Sequence, residues 1–502
     1  MDYKADFMAE AHNQWRANIN RWRYYLDSYL GGADYQRGKY LTQYRFESAD
    51  EYKQRIETTP LDNHCKNIVH IYNSFLFSKE PTRYFANLEQ DPSLENFLKD
   101  ADLEGRSFDS FMHDANIMAS VYGNIWIFVD RPDVQVTTRA EELQQDIRPY
   151  VSMVSPENVL DWNYARAANG AYYLDYVKVL EHNDEHMTIT KIYYLDRTDT
   201  IKHIRNVDDG GETITSVPNL YNQIPAVVLY SSRGPERGVG ISDIADISDI
   251  QRAIYNELSE IEQLIRISNH PSLVKLQTSE AHAGAGAVIT MDENTPGDLK
   301  PYLLQPNSQS LDGIQNSIKE KINAIDRIAH MGGVRATSTR TSSGVALQVE
   351  NQLLNAKLTE KSNNLELAEE QIWRLWAMMQ GYSWTGEVEY PKNYNLRDKV
   401  TEIEAIKRTV DTQLATPRMN EEMRRLLATI LFDDGETVEY IMSEVTDPDG
   451  PAVGAMGSDD IEHPVLTQDN FREHIRTMLD EGYTFAEIEA LHPELTQLFL
   501  NE

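Results

Sequence analysis

An α+β fold that is mostly α-helical is what this 502-residue chain predicts, on three observations. Three long stretches, near 241–269, 308–330 and 344–380, carry apolar residues at steps of three and four, the period of an amphipathic helix. A block near 121–232 is instead rich in β-branched and aromatic residues separated by turn signals, as strands are. The composition, 41% hydrophobic and 25% charged, is globular, and the length exceeds what one hydrophobic core supports, so several subdomains are expected.

From the N-terminus, Trp15, Ile19, Trp22, Leu26 and Leu30 form the stripe of a first helix that Gly31-Gly32 ends. Helical patterns follow around 48–78 and 106–120. Strand-like segments come next: "VYGNIWIFVD", "RPYVSMVS", "YYLDYVKVL", "HMTITKIYYLD", "TIKHIRNV" and "IPAVVLYSS", with "DDGG" as a hairpin turn before "ETITSV". After "RGPERGVG", Ile244, Ile247, Ile250, Ile254, Leu258, Ile261 and Ile265 predict one helix over about 241–269, with Ser242 as N-cap, Asp243 and Asp246 in the first turn and a stop before Pro271. Short strands "SLVKLQ", "GAVITM" and "KPYLLQ" precede a second helix striped by Leu311, Ile314, Ile318, Ile322, Ile325 and Ile328.

A small-residue, basic loop, 331–343, then leads into a pattern without proline from Gly344 to about Gln380, roughly 55 Å of helix at 1.5 Å per residue. Further helices are expected at 396–412, at 417–432 with Pro417 at the first helical position, at 466–481 and from Thr484 with Glu487 at capping-box spacing.

Eighty acidic against 47 basic residues give a net charge of −33, the wrong sign for a simple nucleic-acid-binding face. Residues 431–502 hold 18 Asp/Glu against 2 Arg, marking an acidic C-terminal subdomain. A single cysteine, Cys65, leaves no internal disulfide and suits a reducing cytoplasm. No apolar run approaches a bilayer span and the N-terminus lacks a secretory h-region, so no membrane association is expected.

Chemistry-bearing motifs are sparse. "EHNDEH" sets His182 and His186 four apart, but on strands that spacing is about 13 Å, and a hairpin turn is the better reading than a metal cluster. The glycines of "GPERGVG" and "AGAGA" lack a phosphate-loop ending and read as hinges or tight turns. Asp243, Asp246 and Asp249 read as a solvated helix ridge, and Cys65 as buried and inert. No hydrolase elbow, kinase or deaminase set is present, so neither an enzyme nor a cofactor is expected. One anomaly is a basic island: Lys319, Lys321, Arg327, Arg335 and Arg340 against Glu320 and Asp326, a net of +3 inside an acidic chain. On one chain it reads as a solvated face with intramolecular partners. Repeated around a symmetric ring it becomes a basic belt that can meet phosphates.

The order of parts, together with "VYGNIWIFV", "VSPENVLDWNY", "IPAVVLYSSRGPERGVGISDIADISDIQRAIYNELSEIEQL" and "TSSGVALQVENQLLNAKLTEK", resembles the portal proteins, or head-to-tail connectors, of tailed bacteriophages. The resemblance covers most of the chain and implies a homododecameric ring at one capsid vertex of the virion, assembled in the host cytoplasm, through which double-stranded DNA is packaged and ejected. It implies a wing (1–240), stem helices (241–270 and 308–330), a clip (271–307), a tunnel loop (331–343), a long wing helix with a following strand (344–400) and a crown (401–502). Implied partners are the terminase large subunit, head-completion or adaptor proteins, and the major capsid and scaffolding proteins. Lys319, Lys321, Arg327, Arg335 and Arg340 would then face DNA, with Gly332 and Gly333 as the loop's hinge, while Ile254, Ile261, Ile318 and Ile322 would pack the stem and its subunits. The acidic remainder would repel DNA and keep it sliding. Alternatives of other classes are an acidic cytoplasmic scaffold that binds proteins through its long helices, and a metal-dependent hydrolase built on His182 and His186.

Overall fold

The computed structural model describes residues 11–132, 138–183, 187–194, 199–206, 211–218, 221, 223–269, 272–274, 302–304, 308–331, 344–392 and 394, with 296, 406, 408, 422–428 and 442 beyond these. The chain divides into two units, 1–396 and 397–502. In the second, 422–428 are helical, inside the helix expected at 417–432, and the other helices expected after 396 lie outside the described residues apart from the helical positions 406 and 408.

Helix α1 (Asn13–Leu30) ends where Gly31 adopts φ 69° and its N–H reaches Asp27 O at 2.8 Å. After α2 (Gly32–Arg37), the pattern expected as helical over 48–78 is two helices, α3 (Ala49–Thr58) and α4 (His64–Leu76). Pro60 explains the break: it holds the preceding Thr59 extended (φ −74°, ψ 121°). Each helix starts on its own cap, Ser48 with Glu51 in a capping box and Asn63. Strand β1 (Thr82–Tyr84), α5 (Leu94–Lys99) and α6 (Phe108–Tyr122) follow.

Helix α6 stops at Gly123 (φ 96°) and passes directly into β2 (Asn124–Asp130), buried along almost its whole length. Such a continuous apolar run suits a central strand covered on both faces. It pairs antiparallel with β3 (Tyr150–Val154), which follows α7 (Arg139–Gln144), and with the later β9 (Ala226–Tyr230). Between β3 and β9 lies an antiparallel meander, β4 (Val159–Arg166), β5 (Tyr172–Asn183), β6 (Met187–Tyr194), β7 (Asp199–Asn206) and β8 (Glu212–Pro218). Asn183 pairs with Thr188, so "EHNDEH" spans a hairpin as expected; His182 stands on β5 and His186 lies outside the described residues. Arg205 pairs with Glu212, bracketing "DDGG".

The short β10 (Ser232–Arg233) and β11 (Gly240–Ile241) pair before α8 (Ala245–Asn269). Then come β12 (Ser272–Val274) and β13 (Tyr302–Leu304), paired antiparallel, and α9 (Ser308–Ile328). The strand expected at "GAVITM" is outside the described residues. Helix α10 (Gly344–Met379) is 36 residues long, and β14 (Glu387–Glu389) returns to pair with β1.

Helix α10 lines the core from Leu354 onward, and near its C-terminal end Ile372, Trp373, Leu375, Trp376 and Ala377 are all buried. Trp373 packs edge-on to Phe97 and Phe85, with ring centroids 5.4 and 4.9 Å away, and Phe108 lies 4.9 Å from it. These aromatic groups join α5 and α6 to α10, segments more than 260 residues apart in sequence.

The α6–β2 junction allows no side chain. A Cβ at Gly123 would sit 2.6 Å from Gly240 O, and its φ of 96° is already unfavourable for other residues. Gly123→Ala is expected to lose about 2 kcal/mol or more, read as a lower urea midpoint.

Candidate functional site

Helices α8 and α9 pack against each other as a long hairpin, with β12 and β13 in the connection between them. The predicted stripes form the seam: Ile254 is 1% and Ile318 9% exposed, while Ile261 and Ile322 are half-buried against the same core. A polar clasp crosses it, since Lys321 Nζ lies 2.6 Å from Glu257 Oε1 and 2.7 Å from Ser317 Oγ.

At its root the hairpin is fixed by groups that sequence reasoning placed elsewhere. The helix expected to start at 241 starts at Ala245, because residues 240–243 are drawn onto the end of α6. Asp243 N donates to Ser120 O at 3.0 Å, and Ser242 Oγ donates to Val121 O at 2.6 Å while accepting the Ile244 N–H. Asp243 is therefore not part of a solvated ridge. Its side chain is fully buried and paired with the equally buried Lys361 of α10, Oδ2 to Nζ 2.7 Å, with Lys357 Nζ 3.1 Å from Oδ1.

All three protons of the Lys361 ammonium are engaged, by Asp243, by Ser231 Oγ at 2.7 Å and by Ser120 Oγ at 2.9 Å. Burial alone would raise the Asp243 pKa, but the Lys361 and Lys357 charges overcome it and hold the carboxyl at about 2. Burial pulls Lys361 below the usual lysine range, opposed by the same carboxylate. Further along α8, Gln251 donates to Ser28 O and accepts the Cys65 N–H, tying the helix to α1 and α4. Cys65 is fully buried, and burial pushes its thiol well above the ordinary range.

The far end of α9 is also held. Tyr72 Oη donates to Ala329 O at 2.7 Å, His330 takes φ 54°, and Met331 is fully buried with its N–H on Asp326 O at 2.8 Å. The chain thus leaves toward the small-residue loop from a fixed point. Gly332, Gly333, Arg335 and Arg340 lie outside the described residues. Of the other basic residues, Lys319 and Arg327 are exposed on α9, while Lys321 is occupied by Glu257.

A second buried charge steadies α10 itself. Glu369, fully buried, takes Arg83 Nε at 2.5 Å, Trp373 Nε1 at 3.0 Å and Tyr390 Oη at 2.6 Å. Burial beside that carboxylate keeps the Tyr390 hydroxyl protonated, its pKa far above the usual phenol range. Both nodes had a sequence signal. Lys361 falls in the buried series Leu354, Leu358, Lys361, Leu365, Ala368, Ile372, and a charge in an apolar stripe implies a buried partner.

A model of the family described as phage portal protein, SPP1 Gp6-like, matches residues 8–411. No curated protein matches the chain. Among solved structures, similar chains occur in the virion of a native gene transfer agent (GTA) particle (12% identity, TM-score 0.41, covering 72% of this chain and 89% of that one) and in the neck of an empty GTA particle computed with C6 symmetry (10%, 0.43, 79% and 98%). A third is in the neck of a native GTA particle computed with C12 symmetry (11%, 0.40, 72% and 89%).

Lys361→Met would leave the buried Asp243 with only the partly exposed Lys357 and the Ser231 hydroxyl as partners, and is expected to cost about 3 kcal/mol in chemical denaturation. Adding Asp243→Asn should restore part of that loss, the sign of a direct coupling in a double-mutant cycle.

Proposed function

Because the chain belongs to the phage portal protein family, SPP1 Gp6-like, a structural family, we propose that it forms a closed ring of twelve copies at one vertex of the capsid and conducts double-stranded DNA through its centre. The observation that carries this reading is the α8–α9 hairpin, rooted by the buried Asp243–Lys361 pair and running through α9 to the basic loop.

In this reading α8 and α9 are the stem (241–270 and 308–330) and line the channel. Residues 271–307 are the clip that docks the terminase large subunit and later the head-completion or adaptor protein. Residues 1–240 with 344–400 are the wing, facing the major capsid and scaffolding proteins, and the acidic 401–502 are the crown. Residues 331–343 are the tunnel loop at the constriction, with Gly332 and Gly333 as its hinge. Arg335, Arg340, Lys319 and Arg327 offer transient phosphate contacts. Lys321 meets DNA only as the partner of Glu257, so its charge there is largely neutralised. Negative surfaces elsewhere keep the polymer from adhering, which a conduit requires. Ile254, Ile261, Ile318 and Ile322 keep the stem rigid within each copy and between copies. The assembly forms in the host cytoplasm and ends in the virion.

Negative-stain electron microscopy of the purified protein is expected to show rings with a central hole and about twelvefold symmetry; compact monomers at every salt concentration would overturn the ring. Arg335→Glu with Arg340→Glu should leave those rings intact and lower the DNA packaged per head. Unchanged packaging would remove the phosphate-contact role from this loop.

A further inference from the structure

Between α2 and α3, residues 38–48 form a loop pinned far more tightly than its exposure suggests. Leu41 is buried with Tyr35 and Tyr255 in a small core of its own. Its carbonyl takes Tyr52 Oη at 2.6 Å, and Tyr40 O accepts from Arg252 and Asn256 of α8. Thr42 N donates to Asn256 Oδ1 at 2.8 Å. Arg55, 2% exposed, grips Glu47 through two nitrogens at 2.7 and 2.8 Å and lies 4.0 Å over the Tyr44 ring. Tyr44 and Glu47 close a turn, with Tyr44 N on Glu47 Oε2 at 3.1 Å and Glu47 N on Tyr44 O at 3.2 Å.

At the tip of this braced turn stand Arg45 and Phe46. Phe46 is 91% exposed, the most exposed large apolar side chain among the described residues. A lone exposed apolar residue needs no explanation. One held at the apex of a turn built from a buried guanidinium and a bidentate carboxylate differs, because its ordering cost is already met within the chain.

The complementary surface lies on α10. The N-terminal part of that helix presents Val349 (51% exposed), Leu353 (46%) and the exposed Ala356 at helical spacing, with the exposed Gln352 between them, so apolar side chains make up most of a face that solvent would otherwise favour as polar. Glu350 and Glu360 flank it, and among the described residues neither they nor Arg45 make an ion pair. Phe46, at its exposure, is not covering that face in its own chain. Arg45 lies 5.4 Å over the Phe46 ring beside it, and an apolar tip carrying a cation and a largely apolar face beside acids, neither ion-paired among the described residues, form a self-complementary head-to-tail pair.

We propose that the Arg45–Phe46 turn of one copy docks on the α10 face of a second copy, with Phe46 against Val349 and Leu353 and Arg45 toward Glu350 or Glu360. Two different patches make this a heterologous contact, which generates a ring when its rotation closes. The inference rests on the ring proposed above and names the contact that propagates it. The mounting on α8 through Asn256, Arg252 and Arg55 carries the load of that contact into the hairpin.

The test uses the full chain with Phe46→Asp, and in parallel co-expressed Phe46→Cys and Leu353→Cys copies treated with a short bismaleimide; native Cys65 is fully buried. Expected are a far-UV circular dichroism spectrum for Phe46→Asp unchanged from wild type, loss of rings by electron microscopy, and covalent dimers only when both cysteine variants are present. Rings that persist in Phe46→Asp, a changed circular dichroism spectrum, or absence of dimers would each overturn the docking contact while leaving the ring reading standing; a melting temperature lowered together with loss of rings is the result that losing a subunit contact produces. Wild-type protein that forms no rings would overturn both.

Discussion

One ammonium group organises the junction on which the rest of the molecule depends. Lys361 of α10 reaches Ser120 of α6, Ser231 just after β9, and Asp243 just before α8. Three stretches that are remote in sequence, around Ser120, Ser231 to Asp243, and Lys361, meet at a single buried cation. Its desolvation is tolerable only because every proton has a partner and Asp243 supplies the opposite charge. Hydrophobic contacts would hold these segments together with more freedom of register. Directional hydrogen bonds to a buried charge fix where α8 begins and therefore the direction in which the hairpin leaves the body.

The hairpin then extends that fixed origin. Its seam is ordinary apolar packing of Ile254, Ile318 and Ile325, closed by the Lys321–Glu257 clasp. At the other end, Tyr72 and the buried Met331 define where the chain departs from α9. The stretch of small and basic residues that follows in the sequence is thereby entered from a rigid support. The same scheme recurs at the Arg55–Glu47 turn, where buried charges orient an exposed apex.

Most of the fold could be read from periodicity. The stripes of α8, α9 and α10 and the strand texture of 121–232 survive in the structure because each buries one continuous face. The start of α8 was illegible for a definite reason: Ser242, Asp243 and Asp246 make a plausible capping sequence, and only the approach of α6, 121 residues before Ser242 at Val121, diverts the first two to another use. The split between α3 and α4 was legible in Pro60 but overridden by the apolar pattern around it. Buried charges were the harder case. Lys361 and Glu369 lie where an apolar stripe predicts hydrophobic residues, yet their partners Asp243 and Arg83 are 118 and 286 positions away, beyond the reach of local pattern.

That separation bears on how the chain is made. Arg83, Phe97 and Phe108 emerge from the ribosome long before Glu369 and Trp373, which complete their surroundings. At bacterial-type synthesis rates of about 5–20 residues per second, the interval is roughly 15–60 s. During it, the aromatic faces of α5 and α6 lack the cover that Trp373 supplies, and Arg83 has Asp109 but not Glu369 as its partner. A chain that ends before α10 leaves those rings without their native partner, the kind of apolar surface that favours association between incompletely folded chains. The long helix is in this sense a late-arriving lid, and its delay is set by gene order within the chain rather than by the strength of any contact it makes.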